Sequence, residues 1–84
     1  MRDVLMYSKA SCPYCIRARA LLEQKGVLYQ DICIDEVPEM RLKMQASSGR
    51  NTVPQIFIDG QHLGGCDDLY ALEAKGRLDQ LLEG

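Results

Sequence analysis

With 84 residues the chain is expected to form a single domain spanning residues 1–84, one that buries about 60–65% of the surface its unfolded form exposes and has room for one small core but no buried cofactor cradle. Hydrophobic residues at 46% and charged ones at 26% are ordinary for a folded soluble protein and exclude a disordered chain. The net charge of −2 comes with lysines, arginines and acids interspersed, so no basic stripe of the kind that neutralises nucleic-acid phosphates is present and nucleic acid is not an expected partner.

Residues 3–7 open the chain with a short apolar run, Val4-Leu5-Met6-Tyr7, that shows little alternation. That is the pattern of a central strand covered on both faces. It starts too near the N-terminus to leave room for a secretion signal, and no apolar run reaches membrane-spanning length. The expectation is a cytoplasmic protein with no membrane partner. Four cysteines in so short a chain could suggest a secreted disulfide framework, but the missing signal and the three-residue separation of one pair favour reversible chemistry in a reducing compartment.

Ser8-Lys9-Ala10-Ser11 is a loop feeding Cys12-Pro13-Tyr14-Cys15, where the strand pattern gives way to a helical one. Pro13 suits the first helical position, where its missing N–H costs nothing. Cys12 then falls at the N-cap with its sulfur facing the free N–H groups of Tyr14 and Cys15. Those donors and the positive end of the helix dipole favour the thiolate. Cys12 is therefore the expected attacking thiol, and Cys15, one turn along and covered by helix packing, the resolving thiol. The competing reading is a zinc-binding module, because Cys-x-x-Cys also ligates metal and Cys33 and Cys66 complete a set of four. Neither of these belongs to a second close pair, and no metal is expected. Lys9 reads either as a solvated lysine or as a cation that lowers the thiol pKa and holds an anionic substrate.

From Pro13 to Lys25, Cys15, Ala18, Leu21 and Leu22 recur at helical spacing and Gly26 supplies the stop. Tyr14 lies off that face, either an unremarkable exposed ring or a flat wall beside the sulfur. Leu28 to Ile34 alternates, with Leu28, Ile32 and Ile34 in phase, and reads as a strand joined to the first by a right-handed parallel crossover; Cys33 is most simply a small strand residue. Asp35 or Glu36 can cap a second helix from Pro38 to Ser48, in which Met40 and Met44 share a face as core filler and Gly49 ends the run. Thr52-Val53-Pro54 leads into the strand Gln55-Ile56-Phe57-Ile58, and Asp59-Gly60 signals a type I′ turn returning Gln61-His62-Leu63 as an antiparallel edge strand. His62 is then an edge-strand surface residue with no catalytic partner. Gly64-Gly65-Cys66-Asp67-Asp68 opens the last helical region. It reads either as a flexible turn with an aspartate cap or as an anion pocket of backbone donors with an acid placed for an ammonium group. Leu69, Leu72, Leu78, Leu81 and Leu82 continue an apolar helical pattern interrupted at Gly76.

The order strand, helix, strand, helix, hairpin, helix resembles the thioredoxin fold, and four features together resemble a dithiol glutaredoxin: Cys12-Pro13-Tyr14-Cys15, Thr52-Val53-Pro54, Gly64-Gly65-Cys66-Asp67-Asp68, and the preceding Lys9. The resemblance implies an α/β fold with a four-stranded mixed sheet, order 2-1-3-4, between helices, and a cis peptide before Pro54. It implies glutathione as co-substrate, with its cysteine moiety on the backbone of Val53, its glycine carboxylate near Lys9 and Arg41, its γ-glutamyl group near Gly65, Cys66, Asp67 and Asp68, and Tyr14, Thr52 and Pro54 lining the cleft. It also implies a monomer that reduces glutathionylated and disulfide-containing proteins, ribonucleotide reductase being a partner by likeness alone. The thioredoxin branch has Trp-Cys-Gly-Pro-Cys, which a chain without tryptophan lacks. The Cys-Gly-Phe-Ser site of monothiol iron–sulfur carriers is likewise absent, leaving cluster transfer as the alternative reading.

Overall fold

The computed structural model describes residues 2–83. Eight elements follow in order: β1 (Val4–Ser8), α1 (Pro13–Gln24), β2 (Tyr29–Cys33), α2 (Glu39–Ser48), β3 (Gln55–Ile58), β4 (Gln61–Gly64), α3 (Cys66–Ala74) and α4 (Leu78–Glu83). The strands form one sheet in the order β2-β1-β3-β4. β1 pairs parallel with β2, Val4 opposite Tyr29 and Ser8 opposite Cys33, and antiparallel with β3, Met6 opposite Ile56. This is the thioredoxin fold with its 2-1-3-4 order.

The two central strands explain why their sequences are apolar throughout. Successive side chains point to opposite faces, so Val4, Met6, Ile56 and Ile58 join Ala18, Leu21 and Leu22 of α1, Leu69 of α3, and Leu78 and Leu82 of α4 in the larger core. Tyr7 and Phe57 face the other way and pack with Ile34 and Met44 of α2. Their rings meet edge to face at 5.9 Å, the arrangement their quadrupoles favour. Met44 is fully buried and Met40 packs at the margin of this smaller core, as core filler should.

Three local expectations need correction. Leu28 does not belong to the second strand; it is 85% exposed just before β2 begins. β2 is an edge strand beginning one residue later, so nothing packs over that position. Neither Asp35 nor Glu36 caps α2: the amides of Glu36 and Val37 turn back onto the Cys33 carbonyl, and Pro38 is the N-cap residue without any side-chain cap. His62, expected at the surface, is half-buried, its ring 5.1 Å from that of Phe57 and its Nε2 2.7 Å from Gln55 Oε1. The hairpin turn follows the sequence signal, with Asp59 and Gly60 both at positive φ, 50° and 80°.

The C-terminal helices are tied to α1 from two sides. Lys25, the C-cap residue of α1, reaches Glu73 of α3 at 2.7 Å and Asp79 of α4 at 2.9 Å. On the exposed side Arg17 lies over the Tyr70 ring while the Tyr70 hydroxyl donates to the Arg17 carbonyl at 2.9 Å. These contacts fix where α3 starts relative to the N-terminus of α1, and the two helix starts frame the site.

Candidate active site

Pro13 opens α1 and Cys12 is its N-cap residue, extended at φ −81° and ψ 119°. Cys12 is partly exposed, Cys15 is completely buried, and all four cysteines are free thiols. Burial works against a Cys12 thiolate, but the Cys15 and Tyr14 amides, the Cys15 thiol donating to the Cys12 sulfur, and the charge of Lys9 together outweigh it and hold the thiol below its ordinary range. No capping hydrogen bond of normal length is made by the neutral thiol. The amides act as an electrostatic cradle for the anion rather than as partners of the protonated group. Burial, with the Cys12 sulfur adding to it, pushes Cys15 up to about 12. One thiol is poised to attack while its neighbour keeps its proton.

Opposite Cys12, the Val53–Pro54 peptide is cis, and the Cys12 thiol points at the Val53 carbonyl oxygen 3.9 Å away. Gln55 holds this turn from behind: buried, it donates from Nε2 to the Thr52 carbonyl at 3.0 Å and accepts from His62 at 2.7 Å. The third wall is the start of α3. Gly64 adopts φ 132°, and a Cβ there would run into the Asp68 carboxylate; a Cβ on Gly65 would stand 3.2 Å from the Pro54 carbonyl oxygen. Both glycines therefore permit close approach, one to the side chain that caps α3 and one to the cis turn at Pro54 that precedes β3. Asp68 reaches back to accept from the Gly65 amide at 2.9 Å and pairs with Arg50 at 3.1 Å. The Gly65 amide first, and Arg50 beside it, hold the Asp68 carboxyl below its usual range. Burial pushes the Cys66 thiol up, which leaves it a neutral wall.

Tyr14, Thr52, Val53, Pro54, Gly65, Cys66, Asp67 and Asp68 line one groove of about 290 Å³, together with Arg50 and Gln55. Four expected site residues lie outside its lining: Cys12 stands at its edge with its thiol 3.9 Å from the carbonyl oxygen of the lining residue Val53, and Cys15 is buried. Lys9 stands in the loop before the dithiol, where its charge acts on Cys12, and Arg41 donates to the Asn51 side chain at 2.8 Å. Arg50 is the cation that the sequence reading missed; its only signal was adjacency to Asn51-Thr52-Val53-Pro54. A larger hollow, about 1190 Å³, lies over Leu5, Tyr29, Ile32, Met40 and Phe57, but no thiol faces it, and the groove is where the chemistry-bearing groups converge. Among the described residues no three His, Cys, Asp or Glu side chains gather as metal ligands, so the four-cysteine reading is not favoured.

A thiol that ionises readily, next to a buried thiol able to close onto it, performs thiol–disulfide exchange, and on this fold the pair defines a thiol–disulfide oxidoreductase of the thioredoxin class. The glutaredoxin family pattern matches residues 4–63, a span that ends just before the start of α3. Glutaredoxin 3 of Escherichia coli is 59% identical over 83 residues, covering 99% of this chain and 100% of that one. The solution structure of glutaredoxin from Brucella melitensis superposes with a TM-score of 0.85 at 57% identity, covering 98% and 89% of the two chains. A buckwheat glutaredoxin–glutathione complex superposes with a TM-score of 0.90 at 33% identity, covering 98% of this chain and 77% of that one. The chain belongs to the glutaredoxin family, the glutathione-dependent disulfide oxidoreductases.

Proposed function

We propose that glutathione occupies the groove beside Cys12, and that the protein there reduces glutathione mixed disulfides and protein disulfides. The Cys12 thiolate attacks a substrate sulfur; a Cys12–S bond forms as the substrate S–S bond breaks, and the leaving thiolate departs with the electron pair and takes a proton from solvent. Free glutathione or Cys15 then attacks the Cys12 sulfur. In the second case a Cys12–Cys15 disulfide forms and two glutathione molecules reset the dithiol, leaving as oxidised glutathione.

The groove supports an assignment of each end of the tripeptide. Its cysteine moiety pairs with the Val53 backbone, next to the carbonyl that the Cys12 thiol already faces at 3.9 Å. Its γ-glutamyl ammonium meets Asp67 and Asp68, and the γ-glutamyl carboxylate meets the free amides at the start of α3. Lys9 serves the glycine carboxylate, while Arg50, paired with Asp68 at 3.1 Å, stands at the γ-glutamyl end. Tyr14, Thr52, Pro54, Gly65 and Cys66 shape the walls, and Arg41 acts through Asn51, holding the loop that carries Thr52. Because the resetting step consumes glutathione, the protein belongs in a reducing compartment, the cytoplasm, acting as a monomer without a resident metal on glutathionylated or disulfide-containing proteins, ribonucleotide reductase among the candidates. No helix in residues 2–83 is long and apolar enough to cross a membrane.

The Cys12 thiol facing the Val53 carbonyl at the edge of the groove, 3.9 Å away, carries this reading. It is tested by turnover of a small glutathione mixed disulfide coupled to glutathione reductase. Cys12→Ala is expected to abolish turnover, whereas Cys15→Ser keeps it and loses reduction of protein disulfides. Retention of both activities in Cys15→Ser would refute the assignment of Cys15 as resolving thiol.

A further inference from the structure

Behind Cys15, away from the groove, lies a polar cluster that the attack by Cys12 does not use. Ser8 at the end of β1 is completely buried and donates its hydroxyl to Asp31 of β2. Arg19 of α1 spans the pair, donating from Nε to Asp31 Oδ2 at 2.7 Å and from Nη2 to Ser8 Oγ at 2.9 Å, with the Lys9 carbonyl at 3.4 Å. The Lys9 amide is in turn directed at the Cys15 sulfur. Cys15 and Arg19 are four residues apart on α1 and so share a helix face. A guanidinium is thus fixed at three points on the face of α1 that carries the buried Cys15.

We infer that Arg19, clamped by Asp31 and Ser8, is a positioning residue for the closing step, its fixed charge favouring the Cys15 thiolate that attacks the Cys12 mixed disulfide. The inference rests on the proposed dithiol reaction. In the closing step Cys15 loses its proton, the Cys15–Cys12 bond forms, and the Cys12–glutathione bond breaks; glutathione leaves as the thiolate with the electron pair and takes up a proton, so the step balances. The dithiol loses the two electrons that the disulfide gains. This step most needs help, because burial pushes the Cys15 thiol up and so favours its protonated form, and the Arg19 charge acts in the opposite direction. Asp31 offsets part of the charge, so the effect sits at the low end for a neighbouring cation. Losing it reduces the Cys15 thiolate about tenfold while making the remaining thiolate about threefold more nucleophilic, a net slowing of about three- to fourfold.

Rapid mixing of the reduced protein with oxidised glutathione separates the two events: release of the first glutathione reports attack by Cys12, and release of the second reports closure. Arg19→Gln and Arg19→Met are expected to slow closure about three- to fourfold with a smaller change in the first phase, and Arg19→Lys, which keeps the charge, to restore it. Two neutral variants guard against a folding loss in either, checked by thermal melting. Wild-type closure in a folded neutral variant would overturn the inference, as would equal slowing in Arg19→Lys, which would assign the effect to the shape of the clamp. Mixed-disulfide turnover by Cys15→Ser tests the underlying reaction separately, since it involves no closure.

Discussion

Asp68 has two roles that one pair of substitutions can separate. Its carboxylate caps the start of α3 through the Gly65 amide at 2.9 Å and pairs with Arg50 at 3.1 Å. The second contact is half-exposed on both sides and contributes about 0.3 kcal/mol at most after screening. The first is a charge-assisted hydrogen bond at a partly solvated helix start, about 1 kcal/mol. Asp68→Ala should therefore cost about 1–1.5 kcal/mol, a fall of about 4–12 °C in Tm for a domain of this size. Asp68→Asn keeps an acceptor oxygen for the Gly65 amide and should lose less than half as much. Affinity should order differently, because an amide cannot pair with an ammonium ion: both variants should raise KM for a glutathione mixed disulfide about tenfold, the low end for a charged hydrogen bond. The capping contribution carries a pH signature. Since the folded state holds the Asp68 carboxyl below its ordinary value, the contribution is fully present above the unfolded pKa and fades as pH falls through the folded one. Melting curves between pH 7 and pH 3, set beside coupled turnover assays, measure all of this. An unchanged KM in Asp68→Asn would refute the ammonium assignment, and equal Tm losses in the two variants would refute the capping argument.

Other expectations follow from the same geometry. The pH dependence of Cys12 alkylation should show a midpoint below the ordinary thiol value of about 8.5, and Lys9→Gln should move it upward; an unmoved midpoint would remove Lys9 from the site's electrostatics. Gly64→Ala must relieve both a φ of 132° and a clash with Asp68, and should cost at least about 2 kcal/mol in urea unfolding. Met44→Ala, at a fully buried position, should cost about 2–5 kcal/mol, whereas Leu28→Ser, at 85% exposure, should stay within about 0.5 kcal/mol of wild type. Comparable losses at these two positions would contradict the assignment of Leu28 to solvent.

The parts legible in the sequence are those governed by local rules. The apolar run of β1, the helical period after Pro13, the Asp59-Gly60 turn and the glycine stops at Gly26 and Gly49 each carry their signal within a few residues. The dithiol was legible for the same reason, since a proline after a cysteine fixes a helix start. Leu28 misled because alternation tells which residues share a face but not where a strand ends. Asp35 and Glu36 misled because they lie within the turn onto the Cys33 carbonyl and not at the start of α2. The cluster of Ser8, Arg19 and Asp31 could not be read at all. Its members lie 11 to 23 residues apart on three elements, and each alone is an ordinary polar residue. The choice between Arg41 and Arg50 was likewise tertiary, decided by which arginine reaches Asn51 and which reaches Asp68.

The groove draws on parts of the chain that only tertiary packing brings together: the Cys12 sulfur meets a carbonyl 41 positions away, and the acid that closes the far end belongs to the helix clamped by Lys25. The helix start around Cys12 is local, by contrast, and survives as long as α1 does. Reactivity and the proposed selectivity therefore rest on different parts of the fold. On warming, detachment of α3 would leave a thiol that still ionises readily but no longer distinguishes glutathione from other disulfides. A partly melted population would be an indiscriminate exchanger rather than an inactive one.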